Sequence, residues 1–66
     1  MTVYKTLAHE EKNGIAVSAD ECWDKFGTVP HYEVTVSHNS IAFLVIRAAK
    51  TTWRKRYKEA VQQYLR

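Results

Sequence analysis

The sequence predicts an α+β domain in which a small antiparallel sheet carries a long amphipathic C-terminal helix. Two observations predict this class. Apolar and polar side chains alternate over residues 31–37, a polar turn follows, and residues 41–46 form an uninterrupted apolar run, a pattern that indicates a β-hairpin. From about residue 48 onward the apolar period lengthens to that of an α-helix. The chain has 66 residues, the length of one domain, which we place at residues 1–66.

The N-terminal segment is typical of a strand. The stretch "TVYKTLAHE" alternates loosely between apolar and polar positions and contains the β-prone Val3 and Tyr4. It predicts a strand at about residues 2–10. The dipeptide Asn13-Gly14 predicts a turn, because both residue types tolerate a positive φ. Residues 14–17 either form a short return strand or lead into the next element, and the sequence leaves both open.

A short helix is predicted at about residues 19–26. Ser18 and Glu21 have the spacing of a capping box, in which each side chain accepts a hydrogen bond from the other residue's backbone N–H. Gly27 is placed to end the helix with a left-handed cap. Such a helix would bury Cys22 on its inner side.

The segment that follows predicts a hairpin with strands at about 31–37 and 41–47. A two-residue turn at His38-Asn39 would set its register. The second strand is apolar on both faces, so we expect it to be central in the sheet, with its second face covered. In this register three apolar cross-strand pairs share one face: Val36 with Ile41, Val34 with Phe43, and Tyr32 with Val45.

The C-terminal segment predicts one long amphipathic helix at about residues 48–65. At helical spacing its apolar residues lie within one sector, which is expected to pack on the sheet. These residues are Ala49, Trp53, Tyr57, Ala60, Val61 and Tyr64.

Charge is distributed unevenly along the chain. Residues 1–46 hold three lysines against six carboxylates, a net charge of −3, whereas residues 47–66 hold seven cations against Glu59, a net charge of +6. On the predicted helix, four cations would form a line that could follow a phosphate backbone. The sequence therefore predicts a small non-enzymatic regulatory domain that binds nucleic acid through Arg47, Lys50, Arg54 and Lys58. The competing interpretation is an ordinary solvated helix face.

An equally weighted alternative is an accessory or inhibitory protein that docks on a larger protein, or that forms a homodimer, through apolar and aromatic surface. Aromatic residues are enriched in binding hot spots, and a chain this small gains stability from a partner. The residues expected at such an interface are Trp23, Leu44, Ile46, Trp53 and Tyr57.

Other functional classes have little support in the sequence. The four soft or borderline ligands are His9, Cys22, His31 and His38, and no two have the close spacing of a structural zinc motif, so no metal or cofactor is expected. The nearest approach to a catalytic pair is His31 with Glu33, which is more often a surface pair, so no catalytic residue is assigned.

Localisation is predicted from the same composition. A lone cysteine forms no intrachain disulfide, which favours a reducing compartment. The longest apolar run, residues 41–46, is far shorter than the roughly 18 residues of a membrane span. We therefore expect a cytoplasmic protein that does not enter a membrane.

Overall fold

The computed structural model describes residues 2–24 and 26–66, and of Thr2 the backbone only. Four strands form one antiparallel sheet in the order β1-β2-β3-β4, and a C-terminal helix packs on one face. The α+β class with an antiparallel sheet and a packed C-terminal helix is thus confirmed. The elements are β1 (Thr2–Lys12), β2 (Ile15–Asp24), β3 (His31–His38), β4 (Ile41–Ala48) and α1 (Trp53–Tyr64).

The first hairpin turns where the sequence predicted. Asn13 and Gly14 have φ values of 54° and 81°, the left-handed conformation that Asn and Gly adopt most readily. Strand β1 begins at the predicted place and continues two residues further, to Lys12. The return strand left open at residues 14–17 exists as the start of β2.

The predicted short helix at residues 19–26 is wrong, because β2 is extended to Asp24; residue 25 lies outside the described part of the chain. Ser18 pairs with His9 on one side and Thr35 on the other, so the strand's backbone bonds are satisfied by two ladders. A local capping box offers far fewer bonds. Gly27 forms no left-handed cap, and its N–H closes a turn onto the Asp24 carbonyl at 2.9 Å.

The second hairpin forms, but its predicted register is wrong. The turn residues are Asn39 and Ser40, with φ values of 51° and 70°, and a bulge follows in β4. Beyond the bulge the shift reverses the faces of β4, so that Leu44 and Ile46 face the helix. The observed pairs are Val36 with Leu44, Val34 with Ile46, and Tyr32 with Ala48. Strand β4 is also an edge strand, where a central one was expected.

The helix begins at Trp53, five residues later than predicted, because β4 continues through Ala48 to pair with Tyr32. A turn then spans residues 49–52. In it the Thr52 N–H donates to the Ala49 carbonyl and the Ala49 N–H donates to Thr52 Oγ1, each at 3.0 Å. Ala49 therefore lies outside the helix. The other five residues of the predicted stripe are confirmed as core-facing.

The core lies between α1 and the two central strands. Its buried members are Val17, Ala19, Val34, Val36, Tyr57 and Ala60. The opposite face of the sheet, called the open face below, bears no helix among the described elements. By the strand register, the open face carries the alternate residues of β2 and β3, including Cys22, His31, Glu33 and Thr35. The sheet thus separates a helix surface from a polar strand surface.

Candidate functional site

The outward side of α1 carries a group of exposed cations. Arg54, Lys55 and Lys58 are exposed, and within the described residues none of them has an ion-pair partner. The only carboxylate on the helix, that of Glu59, is 3.3 Å from the Arg56 guanidinium. Three neighbouring cations therefore face solvent without compensation from their own helix.

The first turn of the helix is rich in cations. Arg54, Lys55 and Arg56 occupy its first turn, which contains no acidic residue. The N-terminal end of a helix carries a partial positive charge, so cations there are unfavourable by about 0.3–1 kcal/mol each before screening. The arrangement costs the isolated fold some stability and raises the positive potential that an anion would meet at this end.

The predicted line of four cations is not formed as one row. Arg54 and Lys58 lie on α1 at the expected spacing, and Lys50 lies in the turn just before the helix. Arg47 belongs to β4, where it pairs across from Glu33. The prediction applied helical spacing from Arg47 onward, but Arg47 lies in a strand and therefore does not line up with the helix cations. Lys55, which was not among the predicted contacts, joins Arg54 and Lys58.

Trp53 packs between the exposed cations of α1 and the core. Its side chain is half-buried against the core cluster, and the Arg54 guanidinium lies 4.7 Å from the centroid of a Trp53 ring. This is a cation–π distance, so the indole restricts the arginine's freedom without neutralising its charge. Tyr57 and Ala60 are buried and anchor the helix that carries these cations.

The residues predicted for a protein interface are mostly directed inward. Leu44 and Ile46 pack against the core, as do Trp53 and the buried Tyr57, and Trp23 is half-buried on β2. Exposed apolar surface occurs instead at the alternate positions of β4. Ile41 is 72% exposed, while Phe43 and Val45 are each 54% exposed.

The two edges of the sheet differ in character. Strand β1 contains two lysines and two glutamates, whereas Arg47 is the only charged residue of β4. Natural edge strands usually carry charges or bulges that discourage pairing with another chain. Strand β4 has the bulge but few charges, and Phe43 makes an edge-to-face contact with Tyr64 at 5.8 Å between ring centroids.

Among the residues that the structure describes, the open face holds a cluster of potential metal ligands. One ligand atom each from Cys22, His31 and Glu33 lies within 4.8 Å of the others. His31 Nε2 is 3.0 Å from Glu33 Oε2. Cys22 has no exposed surface, and burial, followed by the nearby Glu33 and Asp20 carboxylates, raises the pKa of its thiol to about 11. A bare thiolate nucleophile is therefore disfavoured here.

Two tyrosine–glutamate contacts lie on the helix side of the sheet. The Tyr32 hydroxyl donates a hydrogen bond of 2.5 Å to Glu21 Oε2, which raises the tyrosine's pKa. Burial and then the Glu10 carboxylate raise the pKa of Tyr57. Both contacts hold neutral phenols in place and are structural in character.

A shallow cavity of about 550 Å³ lies beside Tyr32, at the end of the sheet where β4 leads into the turn. Its lining includes Val29, Pro30, Ala48 and Lys50. The Glu21 carboxylate also reaches it but is engaged by Tyr32. His31 also lines the cavity, but its ring is hydrogen-bonded to Glu33, so the wall is mainly apolar and its His31 and Glu21 side chains are engaged elsewhere.

Protein-family models, curated protein sequences and solved structures give no match to this chain. Over the residues described, no helix combines the length and apolar character needed to cross a membrane.

Proposed function

We propose that this protein binds nucleic acid without catalysis, through the phosphate backbone, and that it acts as a small regulatory domain. The contact surface, here called the basic helix surface, consists of Lys50, Arg54, Lys55 and Lys58. The observation that carries the proposal is the group of uncompensated cations at the start of α1.

Counterion release supplies the binding energy in this proposal. Duplex DNA holds condensed cations, which are freed when protein side chains neutralise its phosphates. Three of the four proposed contacts project from one helix that is anchored by the buried Tyr57 and Ala60. Their relative positions are therefore set before binding, which reduces the entropy lost on association.

The distribution of charge favours the helix surface over the open face. Arg47 on the open face stands beside Glu33, and Asp20 is aligned with Glu33 on its other side. The carboxylates there would repel phosphates. Lysine and arginine contacts to phosphates carry no base information, so we expect weak sequence preference. The predicted cytoplasmic location agrees with this role and stays a prediction.

The proposal is tested by fluorescence anisotropy with a labelled random-sequence duplex at several salt concentrations. Four phosphate contacts give a slope of log affinity against log salt of about −3.6. Affinity should then fall about 150-fold between about 50 and 200 mM salt. Replacing Lys55 and Lys58 by glutamine should halve the slope to about −1.8 and leave the circular dichroism spectrum unchanged.

A matched control removes the same charge elsewhere. Lys5→Gln with Lys12→Gln takes two exposed cations from β1 and should leave the slope near that of the unmodified protein. Equal losses in the two double variants would show that net charge alone drives binding. Binding that is insensitive to salt would refute the proposal. A parallel titration with single-stranded RNA identifies the preferred nucleic acid.

A second candidate function is homodimerisation through the edge of β4. The exposed Ile41, Phe43 and Val45 and the low charge of this strand favour it. Antiparallel pairing of two β4 strands about a two-fold axis would join the sheets of two copies and cover these side chains.

Sedimentation equilibrium over a range of concentrations tests the dimer. Val45→Lys places a charge on the edge and should shift the protein to monomer. Thr6→Lys places the same charge on the opposite edge strand and should leave the dimer intact. A monomer at every concentration would refute this candidate.

A further inference from the structure

We propose that the open face binds a divalent transition-metal ion of the zinc class, with Cys22 Sγ, a His31 ring nitrogen and a Glu33 carboxylate oxygen as ligands. This inference is independent of the basic helix surface, which lies on the other side of the sheet.

The strand register brings the three ligands together. Cys22 on β2 is directly opposite His31 on β3, and Glu33 follows two residues later on the same face. Both strands are central, and each is hydrogen-bonded to neighbours on two sides. The ligands thus project from a rigid backbone, which limits the entropy lost when a metal fixes them.

The distances suit a tetrahedral ion after small side-chain rotations. Bonds of about 2.0–2.3 Å to zinc place neighbouring ligand atoms about 3.3–3.7 Å apart. The three atoms lie within 4.8 Å of one another, and His31 Nε2 and Glu33 Oε2 are already 3.0 Å apart. An ion would replace that hydrogen bond with two coordination bonds, with the imidazole proton held on Nδ1 so that Nε2 is free to bind.

The donor set matches the chemistry of zinc. Sulfur, imidazole nitrogen and carboxylate oxygen together favour a borderline ion over the hard Mg²⁺ and Ca²⁺, which take oxygen ligands. Two anionic ligands would balance the charge of a divalent ion. Asp20, aligned with Glu33 across the strands, adds negative potential near the site.

An ion can reach the site from solvent. Cys22 is buried, but the side chains of His31 and Glu33 retain 24% and 21% of their exposure. These two residues would capture the ion at the surface, and the Cys22 thiol would then bind it through Sγ and release its proton to solvent. Binding would link the two central strands and stabilise the folded state by mass action.

Cobalt titration of the full chain tests the site. Co²⁺ should bind at one equivalent, with the visible bands of tetrahedral cobalt and the near-ultraviolet charge-transfer band of a thiolate ligand, and Zn²⁺ should displace it. Cys22→Ser should remove the charge-transfer band. His31→Gln and Glu33→Gln should each weaken binding by at least about tenfold.

The chain offers a matched control in the exposed pair of His9 and Glu11, also two residues apart on a strand, with 3.9 Å between His9 Nε2 and Glu11 Oε2. Among the described residues, His9 and Glu11 do not form a three-ligand cluster with a cysteine. His9→Gln should therefore leave cobalt binding unchanged. A wild-type protein without the charge-transfer band would overturn the proposal whatever the variants do. An equal loss of affinity in His9→Gln would overturn it as well. Circular dichroism of each variant separates loss of ligands from loss of fold.

Discussion

Alanine substitution of Ile46 and of Val45, made separately, tests the register of the β3–β4 hairpin. Ile46 pairs with Val34 and packs against the core, whereas its neighbour Val45 is 54% exposed. In the hairpin register that the sequence predicted, the exposures would be reversed. The two substitutions therefore distinguish between the registers.

The magnitude follows from the burial of each side chain. Truncating a core Ile to Ala lowers the free energy of unfolding by about 2–5 kcal/mol. Because Ile46 is only half-buried, we expect a loss of about 2 kcal/mol. Val45→Ala should cost only about 0.5–1 kcal/mol, through lower β propensity and a small area lost. A chain of this size has a total stability of about 3–10 kcal/mol. Ile46→Ala should therefore lower Tm by about 8–16 °C.

Urea unfolding followed by far-ultraviolet circular dichroism measures both values. It is repeated at several protein concentrations, so that any association through β4 is separated from folding. A larger cost for Val45→Ala than for Ile46→Ala would contradict the observed pairing of β3 with β4. Equal and small effects would show that α1 does not pack on β4.

Two further predictions concern the first turn and the buried phenol. Gly14→Ala should destabilise the fold by at least about 1 kcal/mol in urea, because Gly14 has a φ of 81° and the added Cβ would lie 2.8 Å from Asn39 Oδ1; a neutral result would contradict that turn geometry. Since the pKa of Tyr57 is raised above its ordinary value of 10.0 in the folded state, the unfolded chain loses this proton first, and the free energy of unfolding should fall as pH rises above about 10. Tyr57→Phe should make that decline less steep.

Local sequence signals predicted the elements whose cause is local. The Asn13-Gly14 turn needs only two residues that tolerate positive φ, and it forms as expected. The apolar stripe of Trp53 and Tyr57 follows from helical spacing, and it faces the core as expected. Where the cause lay in distant residues, local signals misled: Ser18 and Glu21 resemble a helix start, yet two neighbouring strands hold them in β2.

The candidate sites show the same division. The basic character of the C-terminal segment is evident from composition, but its grouping changed once the structure showed that the helix begins at Trp53. Arg47 then lies on the other side of the sheet, and Lys55 joins the exposed cations. The cluster of Cys22 with His31 was not predicted, because residues nine apart become neighbours only when both belong to paired strands.

By itself, the sequence determined the class of this fold, because alternation and helical periodicity are properties of neighbouring residues. It also determined that positive charge is concentrated near the C-terminus. The tertiary structure alone decided the path of β2, the register of β4 and the start of α1, because each depends on hydrogen bonds and packing between segments far apart in the chain. Those same long-range choices decide which side chains meet on the open face and which cations share the helix surface.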